Sequence, residues 1–396
     1  METLKIALID FNKKIGGAQI ALANLGKALS EKGHEVHVIL GKKEISGRLA
    51  NICLPYCYLH FISGYNDLSD LPILKGALRK SFFNLYNIHK FDVINVNGIN
   101  ELFVPPELLN RVVVTLHANN LYRGMNFLRY LHTSSYMRKA YGYDSKGIIK
   151  TVCGILIYSA LEKKACERAK RVVTLTQTEA NLAKKYYNVP EEKISIVPNS
   201  VLFPNDEEHL RELPIPENRK IIISTGSLSV IKGIPVLVKA VENVLSENKD
   251  VVYISVGDGP LMPMVKTLAS RFPGRVLILN HVSTGMMSVY ARSKVFIHGS
   301  LYEAFCLSMA EAMLVGKPVV AFNMASIPEM VIDNVTGYLV EPLDLKDLAE
   351  KAIDLLDNDE KARRMGSAAK KRIAELCNSK RIACKMESVY KEAIVS

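Results

Sequence analysis

The 396-residue sequence contains no apolar run approaching the roughly 20 residues that a membrane-spanning helix needs. Near its beginning, the strand-sized run Leu4–Ile9 is followed at once by Asp10, which predicts that there is no signal peptide. The seven cysteines are an odd number spread over the whole chain, a usage that predicts reduced thiols. Together these absences lead us to expect a cytoplasmic protein.

Three common ligand-binding patterns are also absent. The β-α-β opening lacks the G-x-G-x-x-G sequence and has no acidic residue ending its second strand, which disfavours a nicotinamide or flavin dinucleotide. The loop Gly226–Gly233 lacks the Gly-Lys-Ser/Thr order of a P-loop. No recognised nucleic-acid-binding module is present, so nucleic acid is not an expected partner.

Two patterns resemble metal sites only weakly. The spacing Cys53-x3-Cys57-x2-His60 is irregular and no second ligand pair follows it, which argues against zinc. Asp357 and Asp359 lie between two amphipathic helices, where such residues normally form turns and N-caps. We therefore predict no metal site.

Strand-sized apolar runs alternate with helical patterns along most of the chain. This alternation predicts parallel, doubly wound sheets, and the length favours two domains with a ligand site in the cleft between them. Residues 201–219 contain three prolines and no sustained periodicity, which is typical of a linker. The predicted division is an N-terminal domain (1–200), a C-terminal domain (220–377) and a last helix (378–396) that packs back toward the N-terminal domain.

The excess positive charge lies entirely in the N-terminal half. Residues 1–200 hold 27 Lys and Arg against 16 Asp and Glu, whereas the remainder holds 24 of each. Residues 121–171 alone hold 11 basic and three acidic residues, interleaved with tyrosines and with the apolar run Val152–Leu161. This composition favours binding to an anionic membrane surface, although ordinary helices with solvated basic faces would also produce it.

The stretch Val295–Val340 carries the strongest functional pattern. Glu303 lies in a loop after a short apolar strand, and Glu311 follows eight positions later, inside a helix that begins near Cys306. The N–H groups at a helix N-terminus bind phosphate, and carboxylates on either side accept hydrogen bonds from hydroxyl groups. A nucleotide sugar is a ligand that has phosphate groups with hydroxyl groups on either side.

Other candidates have two interpretations each. Gly16 and Gly17 suit a backbone that approaches phosphate, but also an ordinary strand-to-helix turn. Lys232, near a helix start, suits a phosphate contact or a surface lysine. His117 follows a strand end, where ligands bind in doubly wound sheets, but it could equally be a packing residue.

Taken together, the motifs resemble those of family 4 of the retaining glycosyltransferases, over nearly the whole chain. The most specific part is the E-x7-E segment from Glu303 to Glu311 with the strand that follows it. Weaker motifs occur in the family's order: Gly16-Gly17-Ala18, Gly33-His34-Glu35-Val36, Thr115-Leu116-His117, Val197-Pro198-Asn199, Lys232-Gly233, Gly257-x-Gly259-Pro260, Tyr290-Ala291 and Thr336-Gly337.

The resemblance implies the GT-B fold, an α/β architecture of two doubly wound Rossmann-like domains facing across a cleft. It assigns the catalytic roles to His117 and Glu303 on the transferred sugar and to Lys232 on the diphosphate. Ser227 stands where the family usually has arginine. The resemblance places the donor against Ser227, Lys232, Phe305, Cys306, Leu307 and Glu311, with Glu311 on the ribose hydroxyls. It places Gly16 and Gly17 against the donor diphosphate or the acceptor.

The implied activity is a metal-independent, retaining hexosyl transfer that uses no cofactor. A UDP- or GDP-sugar would donate to a glycan or lipid-linked acceptor in cell-envelope or glycoconjugate synthesis, at the inner face of a membrane. An alternative is a degenerate member that binds nucleotide sugars as a partner or scaffold protein. Ser227, Ala304 and Cys306, which replace the usual arginine and glycines, favour that alternative.

Overall fold

The computed structural model describes most of the chain as two compact units. The first comprises residues 1–122, 147–202 and 377–396, and the second comprises 123–146 and 203–376. Most of the predicted linker, residues 202–218, lies outside the described residues. None of the described helices is long and apolar enough to cross a membrane. The described residues are 3–13, 16–41, 47–62, 70–133, 145–201, 219–280 and 285–395.

The described part of the first unit contains a parallel sheet of seven strands in the order β3-β2-β1-β4-β5-β6-β7. The chain builds outward from β1 in one direction and then crosses to β4, so the strand order reverses between β1 and β4. The strands are β1 (Lys5–Asp10), β2 (Glu35–Leu40), β3 (Tyr58–Phe61), β4 (Val93–Asn97), β5 (Val112–Leu116), β6 (Arg171–Thr174) and β7 (Ile194–Ile196).

The described part of the second unit repeats this arrangement with six parallel strands in the order β10-β9-β8-β11-β12-β13. Here the reversal lies between β8 and β11, which are hydrogen-bonded neighbours with Val295 beside Ile222. The strands are β8 (Lys220–Thr225), β9 (Val251–Val256), β10 (Val276–Leu279), β11 (Val295–His298), β12 (Val319–Phe322) and β13 (Gly337–Val340).

Helices connect the strands in both units. Short 3-10 helices occupy Gly98–Phe103, Pro106–Arg111 and Glu191–Lys193. The α-helices are α1 (Gly17–Glu31), α2 (Gly47–Cys53), α3 (Leu71–His89), α4 (Asn120–Thr133), α5 (Ser145–Arg168), α6 (Gln177–Tyr187), α7 (Ile234–Glu247), α8 (Met262–Arg271), α9 (Met286–Arg292), α10 (Leu307–Leu314), α11 (Ile327–Met330), α12 (Leu345–Asp357), α13 (Asp359–Leu376) and α14 (Ser379–Val395).

The central strands are buried on both faces, which explains why they are continuous apolar runs in the sequence. The last helix, α14, belongs to the first unit and packs against α1. Glu387 of α14 accepts a hydrogen bond from the Lys32 ammonium at the end of α1. The helix that ends the sequence is therefore part of the first unit's core packing.

Candidate functional site

Two loops of the second unit meet at the carboxyl ends of β8 and β11. In doubly wound sheets this reversal point is where ligands bind, because the loops after the two strands diverge there. The loop after β8 carries Lys232, and the loop after β11 carries Glu303. The Lys232 ammonium donates a hydrogen bond of 2.6 Å to Oε1 of Glu303. The fold thus joins two of the residues that the sequence singled out.

Glycines allow the loops after β8, β9 and β11 to approach one another closely. Gly233 caps the start of α7 with φ of +63°, and a Cβ there would lie 1.7 Å from the carbonyl oxygen of Gly299. Gly257 has φ of +134°, and its Cβ would lie 2.0 Å from the carbonyl oxygen of Gly226. Side chains at either position would push backbone segments apart, so both glycines maintain the shape of the site.

A histidine that sequence reasoning did not identify completes the charged cluster. His298, the last residue of β11, donates from Nε2 to the same Oε1 of Glu303 at 2.9 Å. The sulfur of Cys306 lies 3.7 Å from that nitrogen. Glu303 and His298 are both buried, with relative exposures of 7% and 4%. Oε1 of Glu303 therefore accepts from two donors, whereas Oε2 has no hydrogen-bond partner among the described residues.

The cluster is held in its charged form. Burial alone would raise the pKa of Glu303, but Lys232 and His298 lower it to about 2. Burial alone would lower the pKa of His298, but Cys306 and the Glu303 carboxylate raise it to about 10. Near neutral pH the site therefore contains an ionised carboxylate between two cations.

Helix α10 begins directly beside this cluster. Its N-cap residue, Cys306, makes no side-chain capping bond to the first-turn amides. These amides and the helix dipole provide the partial positive charge that the sequence predicted here. Phe305, Cys306 and Leu307 are all buried, and Glu311 is buried in the second turn of the helix.

The two residues that replace the usual glycines fit their positions without strain. Neither Ala304 nor Cys306 has a positive φ, so neither position requires glycine for its backbone conformation. Both side chains are buried, and the Cys306 sulfur is directed toward His298 and toward Ser308 Oγ at 3.5 Å. The backbone that precedes α10 therefore keeps its shape with these side chains present.

A pocket open to solvent lies over this end of the second sheet. Its walls include Gly226, Ser227, Lys232 and His298. Ser227 is exposed, and its hydroxyl lies 3.2 Å from that of Ser229. The pocket wall thus presents the Ser227 hydroxyl and the Lys232 ammonium along one loop, with the Ser229 hydroxyl beside that of Ser227.

The first unit has a polar network at its own reversal point, between β1 and β4. Asp10, which ends β1, is buried and accepts hydrogen bonds on Oδ2 from Gln19 at 2.9 Å and from Asn97 at 3.0 Å. Gln19 in turn accepts from the backbone N–H of Gly16 at 2.8 Å. Burial raises the pKa of Asp10 despite these hydrogen bonds. The network fixes the start of α1, where Gly16 and Gly17 lie, to the end of β4.

His117 is bound to the same network with a defined tautomer. Its Nε2 lies 3.0 Å from Oδ1 of Asn97. Because the Asn97 amide nitrogen already donates to Asp10, Oδ1 can only accept, so Nε2 of His117 carries the proton. Burial lowers the pKa of His117 to about 4, which leaves the ring neutral with an unprotonated Nδ1. His117, Asn97 and Pro198 line a pocket within the first unit.

The structure thus brings the predicted residues together in two groups. The first unit contains Gly16, Gly17 and His117, and the second contains Ser227, Lys232, Phe305, Cys306, Leu307, Glu303 and Glu311. Sequence reasoning missed the supporting residues Asp10, Gln19, Asn97 and His298. Asp10 and His298 could have been found, because each ends a buried strand beside a loop that carries a candidate residue.

Family models match both units. The model described as Glycosyltransferase Family 4 matches residues 15–201, and the model described as Glycosyl transferases group 1 matches residues 205–372. These two matches divide the chain near the boundary between the compact units.

Relatives match over the full length of the chain. The D-inositol 3-phosphate glycosyltransferase of Corynebacterium diphtheriae is 30% identical over 99% of this chain and 96% of its own. The N-acetyl-alpha-D-glucosaminyl L-malate synthase of Bacillus anthracis is 25% identical over 99% of this chain and 97% of its own. The structure of Anabaena HepE in complex with UDP and glucose has a TM-score of 0.70, 19% identity and coverage of 97% and 98%.

Two doubly wound sheets, each with polar side chains at its reversal point, define a two-domain α/β protein of the GT-B class. With the matches above, the chain belongs to glycosyltransferase family 4, group 1, and it is a sugar-transferring enzyme. The family and fold expected from the sequence are thereby confirmed, and the alternative of a degenerate binding protein is not favoured.

Proposed function

We propose that this glycosyltransferase moves a sugar from a UDP- or GDP-sugar to a hydroxyl group of a glycan or lipid-linked acceptor, with retention of the anomeric configuration. Cell-envelope or glycoconjugate synthesis is the process that we propose for it. The observation that carries the proposal is the cluster of Lys232, Glu303 and His298 beside the N-terminus of α10. The structurally similar protein HepE of Anabaena was solved with UDP and glucose, which supports a nucleotide-sugar donor for this chain.

The diphosphate binds where positive charge is already arranged. Lys232, the first-turn amides of α10 and the hydroxyls of Ser227 and Ser229 supply cationic and neutral hydrogen-bond donors. In this position two hydroxyl groups take the place of the arginine that is usual in the family. Negative charge grows on the departing nucleoside diphosphate, so donors fixed in place before the reaction stabilise the transition state.

Glu303 orients the transferred sugar. The carboxylate is ionised, and Oε2 has no hydrogen-bond partner among the described residues, so this oxygen can accept from sugar hydroxyl groups. His298 and Lys232 hold the other oxygen and prevent the carboxylate from rotating. Glu311, buried in α10, binds the ribose hydroxyls in the role that the family resemblance gives it.

His117 acts as a hydrogen-bond acceptor and not as an acid. Its Nε2 donates a hydrogen bond to Asn97, so Nδ1 is the nitrogen that accepts a hydrogen bond from a hydroxyl of the donor sugar. Because the pKa is lowered to about 4, this arrangement persists across the physiological pH range. Gly16 and Gly17 contribute backbone at the start of α1, against the donor diphosphate or the acceptor.

The anomeric configuration is retained because the acceptor hydroxyl attacks the anomeric carbon from the same face as the departing phosphate. The departing phosphate takes the proton of the acceptor hydroxyl, the new glycosidic bond forms, and the bond from the anomeric carbon to the phosphate oxygen breaks. The protein supplies position and charge rather than a nucleophile, and the reaction uses neither a metal nor another cofactor.

A donor panel tests the activity. The purified chain is incubated with UDP-glucose, UDP-galactose, UDP-N-acetylglucosamine and GDP-mannose, and nucleoside diphosphate release is measured with and without hydroxyl acceptors. We expect release with at least one donor, and a product with the donor's anomeric configuration by NMR. Nucleotide binding by calorimetry without release from any donor would instead support the scaffold alternative.

We infer further that the enzyme works at an anionic membrane surface, where a lipid-linked acceptor is available. On α5, Ile149, Leu156 and Ile157 are 62%, 56% and 52% exposed and share one helix face. The exposed Lys164 continues this face toward the end of the helix. Residues 134–144, also part of the basic stretch predicted to bind membranes, lie outside the described residues.

Sedimentation with vesicles tests the membrane interaction. We expect binding to vesicles that contain phosphatidylglycerol, weaker binding at high salt, and loss of binding in the double variant Leu156→Ser and Ile157→Ser. Ile332→Ser, at an exposed apolar position outside the basic stretch, is the matched control. Equal sedimentation with neutral and anionic vesicles would contradict the membrane proposal.

A further inference from the structure

Three histidines from distant parts of the sequence meet in the first unit. His37 lies on β2, His60 lies on the neighbouring edge strand β3, and His89 is the last residue of α3. One ring nitrogen from each lies within 4.8 Å of the corresponding nitrogens of the other two. No part of the proposed transfer mechanism uses these residues.

The hydrogen bonds of His37 present one nitrogen to the centre of this three-histidine cluster. Nε2 of His37 lies 2.9 Å from Oε1 of Glu35, and a carboxylate oxygen can only accept. Nε2 therefore carries the proton, which leaves Nδ1 with a lone pair 2.8 Å from Nε2 of His60. Histidines that bind metals normally donate their other N–H to a carboxylate or carbonyl in this way.

Of the three histidines, His89 makes the fewest hydrogen bonds with the described residues. Its centroid lies 4.4 Å from that of His37 and 5.1 Å from that of His60, with both pairs tilted. It makes ring contacts but no hydrogen bond with the described residues. A nitrogen of His89 is thus available to a ligand that the other two histidines also contact.

Aromatic side chains form the walls around the histidines. Tyr58 stacks on His37 at 4.8 Å, and Phe91 lies 5.0 Å from His37 and 5.7 Å from His89. His37 is 1% exposed, whereas His60 and His89 are partly exposed. The cluster is therefore closed on the side of His37 and accessible on the side of His60 and His89.

We propose that His37, His60 and His89 bind one divalent transition-metal ion, with Zn²⁺ as the preferred ion. Three neutral imidazoles and an open fourth position satisfy the tetrahedral geometry of Zn²⁺, whose bonds to histidine nitrogen are about 2.0–2.1 Å long. The same bond length places ligand nitrogens roughly 3.3 Å apart, so on binding the His37 and His60 nitrogens would separate by about 0.5 Å, and the His89 nitrogen would reach that spacing from its position within 4.8 Å of both.

A bound ion would replace the hydrogen bond between His37 and His60 with bonds to all three rings. It would thereby tie the edge strand β3 and the end of α3 to β2.

The zinc pattern considered in the sequence contributes only one residue to this cluster. His60 takes part, but Cys53 and Cys57 are not members, and the Cys57 sulfur instead lies beside Gly26 on α1. The cluster is also separate from the network around Asp10. His37 pairs with Ala7 in the sheet, three residues before Asp10, which corresponds to about 10 Å along the strands.

Metal titration tests this site. The full chain carries Cys153→Ser and Cys384→Ser, because these two exposed thiols would compete for the metal. After chelator treatment it is titrated with Zn²⁺ by calorimetry, and with Co²⁺ by visible absorption, which reports tetrahedral coordination. We expect one equivalent of Zn²⁺ per chain, and a rise in Tm with Zn²⁺ concentration.

Variants separate a three-histidine site from adventitious binding. We expect His89→Ala to weaken Zn²⁺ binding by more than about 100-fold. We expect Glu35→Gln, which replaces the carboxylate that accepts from Nε2 of His37, to weaken it by roughly 10- to 100-fold. His132→Ala, an exposed histidine outside the cluster, should bind like the parent. The absence of one-equivalent binding by the parent overturns the proposal, as does parental affinity in His89→Ala. If His89→Ala does not fold, parental affinity in Glu35→Gln overturns it instead.

Discussion

Lys232 and Glu303 are separated by 71 positions in the chain, yet the ammonium of one lies 2.6 Å from the carboxylate of the other. The contact exists because β8 and β11 are neighbours where the strand order of the second sheet reverses. It combines two functions in one ion pair, since Lys232 is proposed to bind phosphate and Glu303 to bind the sugar. A bound donor would therefore share the lysine with the carboxylate.

Replacing Lys232 should weaken the binding of diphosphate. We expect Lys232→Gln to raise the Kd for UDP by roughly 10- to 100-fold, because one charged hydrogen bond contributes about 1.5–3 kcal/mol. Calorimetry with UDP and with uridine measures this, and uridine affinity should change little. Lys346→Gln, at an exposed lysine of the same unit, is the control. Equal loss of UDP and uridine binding would contradict a phosphate role.

Replacing Glu303 should affect turnover more than nucleotide binding. We expect Glu303→Gln to lower kcat by about 10- to 100-fold, the effect of losing hydrogen bonds of about 1.5–3 kcal/mol to a charged acceptor. Affinity for the free nucleoside diphosphate should stay within a few-fold of the parent. Glu341→Gln, an exposed glutamate, controls for the change of charge. Unchanged kcat at saturating donor would show that Glu303 does not bind the sugar.

The buried pair of His298 and Glu303 should make stability depend on pH. The pKa of His298 is raised from 6.5 to about 10, so its contribution is complete below pH 6.5 and is lost as the pH rises toward 10. The pKa of Glu303 is lowered from 4.5 to about 2, so its contribution is complete above pH 4.5 and is lost as the pH falls toward 2. The pair therefore stabilises the fold most between these limits, from pH 4.5 to 6.5.

Denaturant unfolding of the parent and of His298→Asn at several pH values measures this effect. The difference in free energy of unfolding should decrease above pH 6.5, with a slope of at most about 1.4 kcal/mol per pH unit. A pH-independent difference between pH 6.5 and 9 would mean that His298 is neutral in the folded protein.

Asn97 should control the protonation of His117. In Asn97→Asp a carboxylate would replace the amide oxygen that lies 3.0 Å from Nε2 of His117, and this should raise the pKa of the histidine from about 4. We expect the variant's kcat/KM to fall at acidic pH, while the parent shows no ionisation of His117 between pH 5 and 8. Asn334→Asp, at an exposed asparagine, is the control. Identical pH profiles would contradict the assigned role of Asn97.

Much of the fold could be predicted because most strands are continuous apolar runs. The strand-sized run Leu4–Ile9, for example, corresponds to β1 within one residue at each end. Strand β3 was missed because it lies at the edge of the sheet, where Tyr58 and Phe61 are exposed and no buried apolar run marks it. A strand that is only partly buried leaves little periodic signal.

Local patterns, and spacing within one loop or helix, were enough to predict the family, the two doubly wound sheets and those candidate site residues that lie in the family's motifs. Only the tertiary structure placed His298 and Lys232 on one oxygen of Glu303, linked His117 through Asn97 to Asp10, and brought His37, His60 and His89 together. These contacts join loops and strands that are neighbours in the sheets but far apart in the chain. Strand order, and not sequence spacing, decides which of them meet.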